Sequence, residues 1–253
     1  MFLTGGAGTG KSHLIKAVYY EATRILARIL PNPDDVSVLL TAPTGVAAFN
    51  INANTIHSTF SIAIDAQLPY QPLGEEKINT LRSKLSSLQI LIIDEISMVD
   101  KKLLGYVHGR LRQIKQTGDQ LPFGGVAVIG VGDFYQLPPV KGKALYVNSE
   151  GVDLWNDYFS IAELTEVVRQ QDSEFAETLN VIRKRQKSDD LDAHVVTMLQ
   201  NCETGEEGKG IHISTNQKVD ECNIRKLHSL SSDVICINAQ DLYRDPKTKK
   251  LVK

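Results

Sequence analysis

The residues best placed to do chemistry lie close to the beginning of the chain, in the stretch FLTGGAGTGKSHL at residues 2–14. Gly5, four further residues and then Gly10-Lys11-Ser12 match the phosphate-binding loop pattern G-x-x-x-x-G-K-S/T. The glycines let backbone N–H groups turn toward phosphate oxygens, and the following helix presents its positive N-terminal end. The pattern predicts that Lys11 reaches the β- and γ-phosphates of a nucleotide while the Ser12 hydroxyl binds Mg²⁺. The predicted nucleotide contacts are Gly5, Gly6, Ala7, Gly8, Thr9, Gly10, Lys11 and Ser12.

Two adjacent acidic residues, Asp94 and Glu95, end the apolar run QILIIDE at residues 89–95. An aspartate at the end of a buried strand is placed to hold Mg²⁺, often through water. In an extended chain the next side chain points to the opposite side, so Glu95 is expected to orient or deprotonate a water there. The pair favours hydrolysis by activated water over a molecular switch whose base lies elsewhere. A solvated acidic pair at a strand end is the alternative.

Two further residues have side chains that suit contact with a terminal phosphate. Gln136, in GDFYQLPP, is a neutral amide that can hydrogen-bond a γ-phosphate or an attacking water. Arg169, in LTEVVRQ, can stabilise the charge of a transferring phosphoryl group. Taken alone, each residue also fits a plainer interpretation: a loop glutamine bonded to backbone, or an arginine in a surface salt bridge.

The stretch APTGVAAFNINANTIHSTF at residues 42–60 has features of a nucleic-acid contact. Small residues, a predicted helix N-terminus at Thr44-Gly45 and several hydroxyl side chains suit contacts to the backbone of a single strand. His57 and Phe60 are candidates for stacking on bases. A capped helix followed by a loop explains the same residues. The hydroxyl side chains in question belong to Thr55, Ser58 and Thr59.

Strands and helices alternate through the first two thirds of the chain. Continuous apolar strands followed by amphipathic helices predict a parallel sheet covered by helices on both faces, the α/β class. Ligands bind such sheets at the carboxyl ends of the strands, where Thr41, Asp94 and Asp133 fall. The strand before the phosphate loop has only residues 1–4 available, so we expect it to lose sheet pairing. The strands are predicted at residues 36–41, 89–95 and 125–133, and the helices at 11–30, 75–87 and 101–116.

The chain changes character near residues 205–210, the polar, glycine-rich sequence GEEGKG. We expect a first domain over residues 1–204 and the beginning of a second, incomplete domain over residues 211–253, with strand segments at 211–215 and 233–238 on either side of a helix at 216–230. Before the break, the basic cluster RKRQK at residues 183–187 is interpreted as a helix end, where the helix dipole favours cations.

The composition restricts the class of protein. A net charge of -2 over 253 residues means that a nucleic-acid partner would have to use a local groove. The chain has three cysteines that are far apart, which indicates free thiols in a reducing compartment. No apolar run is long enough for a membrane span, no secretory signal is recognisable, and histidine and cysteine do not recur at zinc-ligand spacing.

The motifs taken together resemble those of a known family. In chain order GGAGTGKS, APTGVAA with TIHS, LIIDEISMVD, GDFYQLPPV, LTEVVRQ and STNQKVDECN are similar to the successive motifs of petite-integration-frequency (PIF-type) helicases, members of superfamily 1 beside the RecD-like enzymes. The resemblance implies a RecA-like P-loop NTPase fold and an ATP-dependent, Mg²⁺-requiring DNA helicase that moves 5′ to 3′ on single-stranded DNA. It further implies roles in repair, recombination and telomere maintenance, in the nucleus or the mitochondrion.

The resemblance also implies roles for individual residues. By motif position, Lys11 and Ser12 bind nucleotide and metal, Asp94 holds the metal and Glu95 acts as the catalytic base. Residues 60–74 lie where the family inserts a small strand-separating wedge. The implied partners are single-stranded DNA and duplex junctions, with no membrane, and the implied state is a monomer. Gln136 and Arg169 are implied as γ-phosphate sensors, and Pro43, Thr44, Gly45, Thr55, His57 and Ser58 as DNA contacts.

Two parts of the family pattern have no counterpart in these 253 residues. The family has a glutamine segment that reads adenine before the phosphate loop, and most of a second RecA-like domain afterwards. We therefore expect a partial helicase core with weak nucleotide binding and little unwinding on its own. The alternatives are a catalytically incompetent nucleic-acid-binding or regulatory module, and an unrelated phosphate-loop ATPase such as an AAA-type protein or a kinase.

Overall fold

The computed structural model describes residues 1–148, 153–168, 173–185, 190–201, 215–229, 243–244 and 251–252. It divides into two compact units, Met1–Met198 and Leu199–Lys253. In the second unit, a helix over residues 216–230 is predicted and a helix at Asn216–His228 is found, with its N-cap at Thr215. This unit also contains a short antiparallel pair, Tyr243–Arg244 with Leu251–Val252. Of the strand segments predicted at 211–215 and 233–238, residues 211–214 and 233–238 lie outside the described residues.

Six parallel strands of the first unit form one sheet, in the order β3-β2-β4-β5-β1-β6. This confirms the predicted α/β class with a parallel sheet. The strand before the phosphate loop has only four residues, but it pairs with both β5 and β6, so the expected loss of sheet pairing is wrong. The strands are β1 Phe2–Gly5, β2 Val38–Ala42, β3 Asn54–Thr55, β4 Ile90–Ile93, β5 Ala127–Gly132 and β6 Ile161–Leu164.

Helices cover both faces of this sheet because its strands are apolar on both sides. Along β4, Leu91 and Ile93 belong to one buried cluster and Ile92 to the other, as the two-residue period of a strand requires. The first cluster packs under α3, α4 and α5, and the second under α1. The helices are α1 Lys11–Leu26, α2 Gly45–Asn50, α3 Ile56–Phe60, α4 Glu75–Leu85, α5 Lys101–Lys115, α6 Leu154–Tyr158, α7 Ser173–Lys184, α8 Ala193–Asn201 and α9 Asn216–His228; β7 and β8 are the pair described above.

The first helix ends four residues earlier than its apolar spacing predicts. After Leu26 the backbone bonds tighten, and the N–H groups of Arg28 and Ile29 reach back three residues rather than four. The apolar spacing continues through Ile25 and Ile29, but these side chains are 53% and 72% exposed. Because they have no core to pack against, spacing alone does not extend the helix.

The segment between α3 and α4 is tied to α5 by a polar network. Arg110 is only 2% exposed, and its guanidinium donates to the Phe60 carbonyl at 3.0 Å and to the Tyr70 hydroxyl at 2.9 Å. The Gln113 amide donates to the Leu73 carbonyl at 2.7 Å. Residues 60–74 are thus held against α5 at both ends. Nothing in the sequence pattern predicts this anchoring, since the partners lie about 40 residues apart in the chain.

Candidate nucleotide-binding site

The phosphate loop spans the turn between β1 and α1, as its motif predicts. Gly8 and Gly10 have φ angles of 80° and 87°, in the left-handed region that favours glycine. A Cβ on Gly5 would lie 2.6 Å from the Thr9 hydroxyl and 2.8 Å from the Leu164 carbonyl. The Thr9 hydroxyl closes the loop by donating to the Gly6 carbonyl at 2.9 Å. Glycine at these places therefore follows from backbone geometry and close packing.

Lys11 lies over this loop. Its ammonium donates to the carbonyl oxygens of Gly5 and Gly6 at 2.7 and 2.9 Å. Burial lowers the pKa of Lys11, and the negative charges of Asp133 and Glu95 partly offset that effect. The ammonium is thus fixed by backbone acceptors at the rim of the loop, where phosphate oxygens would be expected.

Asp94 and Glu95 lie at the carboxyl end of β4 and both face the phosphate loop. Asp94 is 7% exposed, and its Oδ1 accepts the N–H of Glu95 at 2.9 Å. Glu95 has φ 50° and ψ 43°, so the chain is left-handed there rather than extended. The expectation that the two side chains point to opposite sides is therefore wrong. Both line a cavity of about 430 Å³ together with residues 7–13, Gln136 and Val168.

The environment of the acidic pair favours proton uptake. Burial raises the pKa of Asp94 above its ordinary range. Burial also raises the pKa of Glu95, and the neighbouring Asp94 charge adds to the effect. A carboxylate with a raised pKa is a stronger base, and perturbed groups in a cleft are typical of catalytic sites. The left-handed backbone at Glu95 is a strained conformation of the kind found at such sites.

Gln136 reaches the same cavity from the end of β5. Its side-chain amide donates to Asp133 Oδ2 at 2.9 Å, and its backbone N–H donates to the Asp133 carbonyl at 2.9 Å. Asp133 is 1% exposed and is paired with Arg183 of α7 by two hydrogen bonds, of 2.6 and 2.7 Å. Arg183 lies in the last turn of a helix, as the basic cluster at residues 183–187 predicts. The sequence does not predict its ion pair with Asp133. The partners are 50 residues apart, so no local pattern reveals them.

Arg169 lies outside the described residues. The residue before it, Val168, donates its backbone N–H to the Gly8 carbonyl at 2.9 Å. The segment that leads to Arg169 therefore contacts the phosphate loop. The role of Arg169 itself stays a prediction.

The hydroxyls of the predicted DNA-contacting segment form helix caps. The Thr44 hydroxyl accepts the N–H of Ala47 at 3.3 Å at the start of α2, and Thr55 accepts the N–H of Ser58 at 3.2 Å at the start of α3. The capped-helix interpretation is therefore confirmed, and contact with DNA stays a prediction. Gly45 and Ser58 are exposed, and Pro43 is half-buried.

Two residues of this segment differ from expectation. Phe60 is fully buried in the core, so the hypothesis that it stacks on bases is wrong. The Thr59 hydroxyl is buried without a hydrogen-bond partner, so it does not face a ligand. His57 is half-buried, its pKa is lowered by burial, and it lines a separate cavity of about 260 Å³ with Pro43 and Thr44.

The two predicted sites adjoin each other. A cavity of about 250 Å³ is lined both by Ser12, Glu95 and Gln136 of the nucleotide side and by Thr44 and Asn50 of the candidate DNA segment. The acidic pair at the end of β4 is the boundary between them.

Comparison with known proteins identifies the family. A family model described as PIF1-like helicase matches residues 1–203. The chain belongs to the PIF1-like helicase family. This PIF1-like chain is 31% identical over 252 residues to the ATP-dependent DNA helicase RRM3 of Saccharomyces cerevisiae, covering 95% of this chain and 33% of RRM3.

Solved structures agree with this membership. Bacteroides Pif1 bound to single-stranded DNA is 29% identical, with a TM-score of 0.67, covering 90% of this chain and 52% of that one. Bacteroides Pif1 in complex with ADP-AlF3 and single-stranded DNA is 30% identical, with a TM-score of 0.62, covering 92% and 54%. The likeness confirms the RecA-like P-loop NTPase fold. The chain spans about a third of the length of RRM3 and about half of these solved chains.

Two kinds of structure are absent from the described part of this PIF1-like chain. No three histidine, cysteine or acidic side chains cluster there in a way that would hold a metal by themselves. Nor does any helix among those residues have the length and apolar character needed to cross a membrane.

Asp133→Asn is expected to destabilise the PIF1-like fold in a pH-dependent way. Burial alone would raise the pKa of Asp133, but hydrogen bonds from Arg183 and Gln136 outweigh it and hold the pKa below its ordinary 3.8. A lowered carboxyl pKa stabilises the fold above the unfolded-state value, and that contribution is lost as pH falls through the folded-state value. The difference in unfolding free energy between wild type and variant should therefore shrink below about pH 4.

This prediction is measured by urea unfolding between pH 7 and pH 3, followed by fluorescence of the single tryptophan, Trp155, which is 7% exposed. Asp65→Asn, at an exposed aspartate, is the matched control and should stay close to wild type throughout. A difference for Asp133→Asn that is constant over this range would contradict the assignment of the ion pair.

Proposed function

We propose that this chain is the ATP-hydrolysing core of a DNA helicase that moves 5′ to 3′ along single-stranded DNA. The observation that carries the proposal is the cavity in which the phosphate loop, Asp94, Glu95 and Gln136 meet, next to the Thr44 segment. The proposal is supported by the name of RRM3, an ATP-dependent DNA helicase, and by the Bacteroides Pif1 complex with ADP-AlF3 and single-stranded DNA.

In the proposed reaction, the chain's own residues bind the triphosphate and handle one proton. The loop N–H groups and the Lys11 ammonium bind the β- and γ-phosphate oxygens and neutralise the charge that develops on them. Glu95 accepts a proton from the attacking water, which its raised pKa favours. Gln136 hydrogen-bonds the γ-phosphate or that water. Arg169 is proposed as the second sensor of the γ-phosphate.

A Mg²⁺ ion fits the oxygen donors at this site. The Ser12 hydroxyl and the Asp94 carboxylate both line the small cavity next to Thr44, and both are hard oxygen ligands. Mg²⁺ needs only one or two protein ligands, because nucleotide phosphates and water complete its shell. When bound, the ion would neutralise phosphate charge and orient the triphosphate.

DNA is proposed to bind along the segment that adjoins the acidic pair. Backbone groups and short side chains there suit a single strand, and residues 60–74 stand at the wedge position of duplex junctions. We propose that the chain acts as a monomer in the nucleus or the mitochondrion, in repair, recombination and telomere maintenance, with a second RecA-like domain beginning at residue 211. The proposed DNA contacts are Pro43, Thr44, Gly45, Thr55, His57 and Ser58.

Lys11→Ala is the direct test of the nucleotide site. Removing the ammonium is expected to lower kcat/KM for ATP hydrolysis about 10²–10³-fold, the usual loss when one charge-stabilising donor is removed. Lys16→Ala, at an exposed lysine on the same helix, should behave like wild type. Binding of labelled single-stranded DNA is measured in parallel and should survive Lys11→Ala.

Two outcomes would contradict the proposal. Equal hydrolysis by wild type and Lys11→Ala would place the activity elsewhere. Single-stranded DNA binding by a wild-type chain that neither binds nor hydrolyses ATP would instead favour a binding module without catalysis.

A further inference from the structure

A buried ion pair connects α7 to the carboxyl end of β5. Arg183 donates from Nε to Asp133 Oδ2 at 2.6 Å and from Nη2 to Asp133 Oδ1 at 2.7 Å. The side chains are 13% and 1% exposed, so this pair is shielded from solvent. A pair with two parallel bonds fixes the orientation of the carboxylate as well as balancing its charge.

Asp133 in turn holds Gln136. Its Oδ1 accepts the N–H of Tyr135 at 3.1 Å, and its Oδ2 accepts the side-chain amide of Gln136 at 2.9 Å. Its carbonyl accepts the backbone N–H of Gln136 at 2.9 Å. In both hydrogen bonds that the structure describes for Gln136, the acceptor therefore belongs to Asp133. The orientation of that amide depends on a carboxylate that Arg183 orients.

Arg183 also lies against the phosphate loop and the Gln136 turn. A Cβ built on Gly6 would be 3.7 Å from Arg183 Nη1, and the Arg183 guanidinium carbon is 4.8 Å from the centre of the Tyr135 ring. Without Arg183, the Asp133 carboxylate would be buried and unpaired beside the place where phosphates are proposed to bind. An unpaired buried charge would be expected to turn toward another cation or toward water.

We propose that Arg183 is a positioning residue for ATP hydrolysis, which orients the Gln136 amide through Asp133 and keeps the Asp133 charge balanced beside the phosphate loop. The inference rests on the proposed function, because that function gives Gln136 its role at the γ-phosphate. Arg183 acts through Asp133 and touches no substrate in this account. The sequence interpretation of residues 183–187 as a helix end does not include this role.

A kinetic cycle between Arg183 and Gln136 tests the proposal. Arg183→Met is expected to lower kcat about 10- to 100-fold, the range seen when residues that orient metal ligands through hydrogen bonds are replaced. In the Gln136→Ala background, the same Arg183→Met change should lower kcat little further, because the amide that Arg183 orients is already absent. Arg183→Lys keeps the charge but not the two-bond geometry, so it should lie between wild type and Arg183→Met.

The matched control is Arg24→Met, which removes an exposed arginine with two hydrogen bonds to Glu21 on α1. It should leave kcat and the Gln136 signal unchanged. Independent losses that multiply in the Arg183→Met/Gln136→Ala double variant would show a merely structural role and overturn the proposal. If Arg183→Met does not fold, Arg183→Lys carries the same cycle.

A measurement that does not depend on ATP hydrolysis tests this inference separately from the proposed function. In a ¹⁵N spectrum of the whole chain, the Gln136 side-chain amide is assigned by its loss in Gln136→Ala. That signal should shift in Arg183→Lys and Arg183→Met and stay in place in Arg24→Met. A wild-type chain that hydrolyses no ATP would refute the proposed function. The shift of the amide signal would still show whether Arg183 orients the Gln136 side chain. An unmoved signal in Arg183→Met would overturn the inference.

Discussion

Replacing Glu95 with glutamine is expected to lower kcat for ATP hydrolysis about 10²–10⁴-fold, the usual contribution of a positioned general base. Glutamine keeps the size of the side chain but cannot accept the proton of the attacking water. Nucleotide affinity should change little, because we propose that the loop N–H groups and Lys11 bind the phosphates. The measurement is steady-state hydrolysis together with binding of a fluorescent nucleotide.

Stability should move in the opposite direction from activity. The folded-state pKa of Glu95 is raised, chiefly by burial. The fold is therefore more stable while Glu95 is protonated, and this contribution to the free energy of unfolding is lost as pH rises through the folded-state pKa. At pH 7 the ionised side chain therefore opposes folding, and Glu95→Gln should unfold at no lower urea concentration than wild type. Glu76→Gln, at an exposed glutamate on α4, is the control and should change neither quantity. Near wild-type kcat in Glu95→Gln would exclude Glu95 as the base.

The second large effect is expected at Phe60. Its side chain is completely buried in the core under α3, α4 and α5, and its carbonyl accepts a hydrogen bond from Arg110. Phe60→Ala should leave a cavity, because the tightly packed side chains around it can relax only partly. The free energy of unfolding should fall by about 3–5 kcal/mol. Urea unfolding followed by Trp155 fluorescence measures the loss.

An exposed phenylalanine provides the matched control. Phe49, on α2, is 81% exposed, so Phe49→Ala should change the free energy of unfolding by no more than about 0.5 kcal/mol. The base-stacking hypothesis makes the reverse prediction for Phe60. It requires Phe60→Ala to weaken single-stranded DNA binding while leaving the unfolding free energy unchanged, and that result would contradict the buried position.

The local structure of the candidate nucleotide site was largely predictable from sequence because its elements are close together in the chain. The spacing of Gly5 and Lys11 fixes a strand, a tight turn and a helix start within ten residues, and each is found. Apolar runs that end in polar residues also predict that Asp94 and Asp133 lie at one edge of the sheet, where the carboxyl ends of parallel strands meet. Asp133 hydrogen-bonds Gln136, which lines the same cavity as Asp94.

What the sequence does not reveal depends on backbone turns and distant contacts. Glu95 faces the loop because the chain turns left-handed directly after β4, which a pattern based on extended strands cannot anticipate. From the sequence, Phe60 is a candidate for stacking on bases together with His57. It is instead the last residue of α3, and its side chain is buried in the core. Asp133 follows β5 and Arg183 lies in the last turn of α7, so the two paired side chains are 50 residues apart in the chain.

We propose that ATP hydrolysis at this site is coupled to the binding of single-stranded DNA. The most direct test measures hydrolysis by the purified chain with Mg²⁺, with and without a saturating single strand, and with a blunt duplex as comparison. We expect the single strand to raise the rate several-fold and the duplex to raise it much less. Lys11→Ala should lower the rate about 10²–10³-fold under each condition. A rate that is unchanged by single-stranded DNA, in a chain that demonstrably binds that DNA, would contradict the claim.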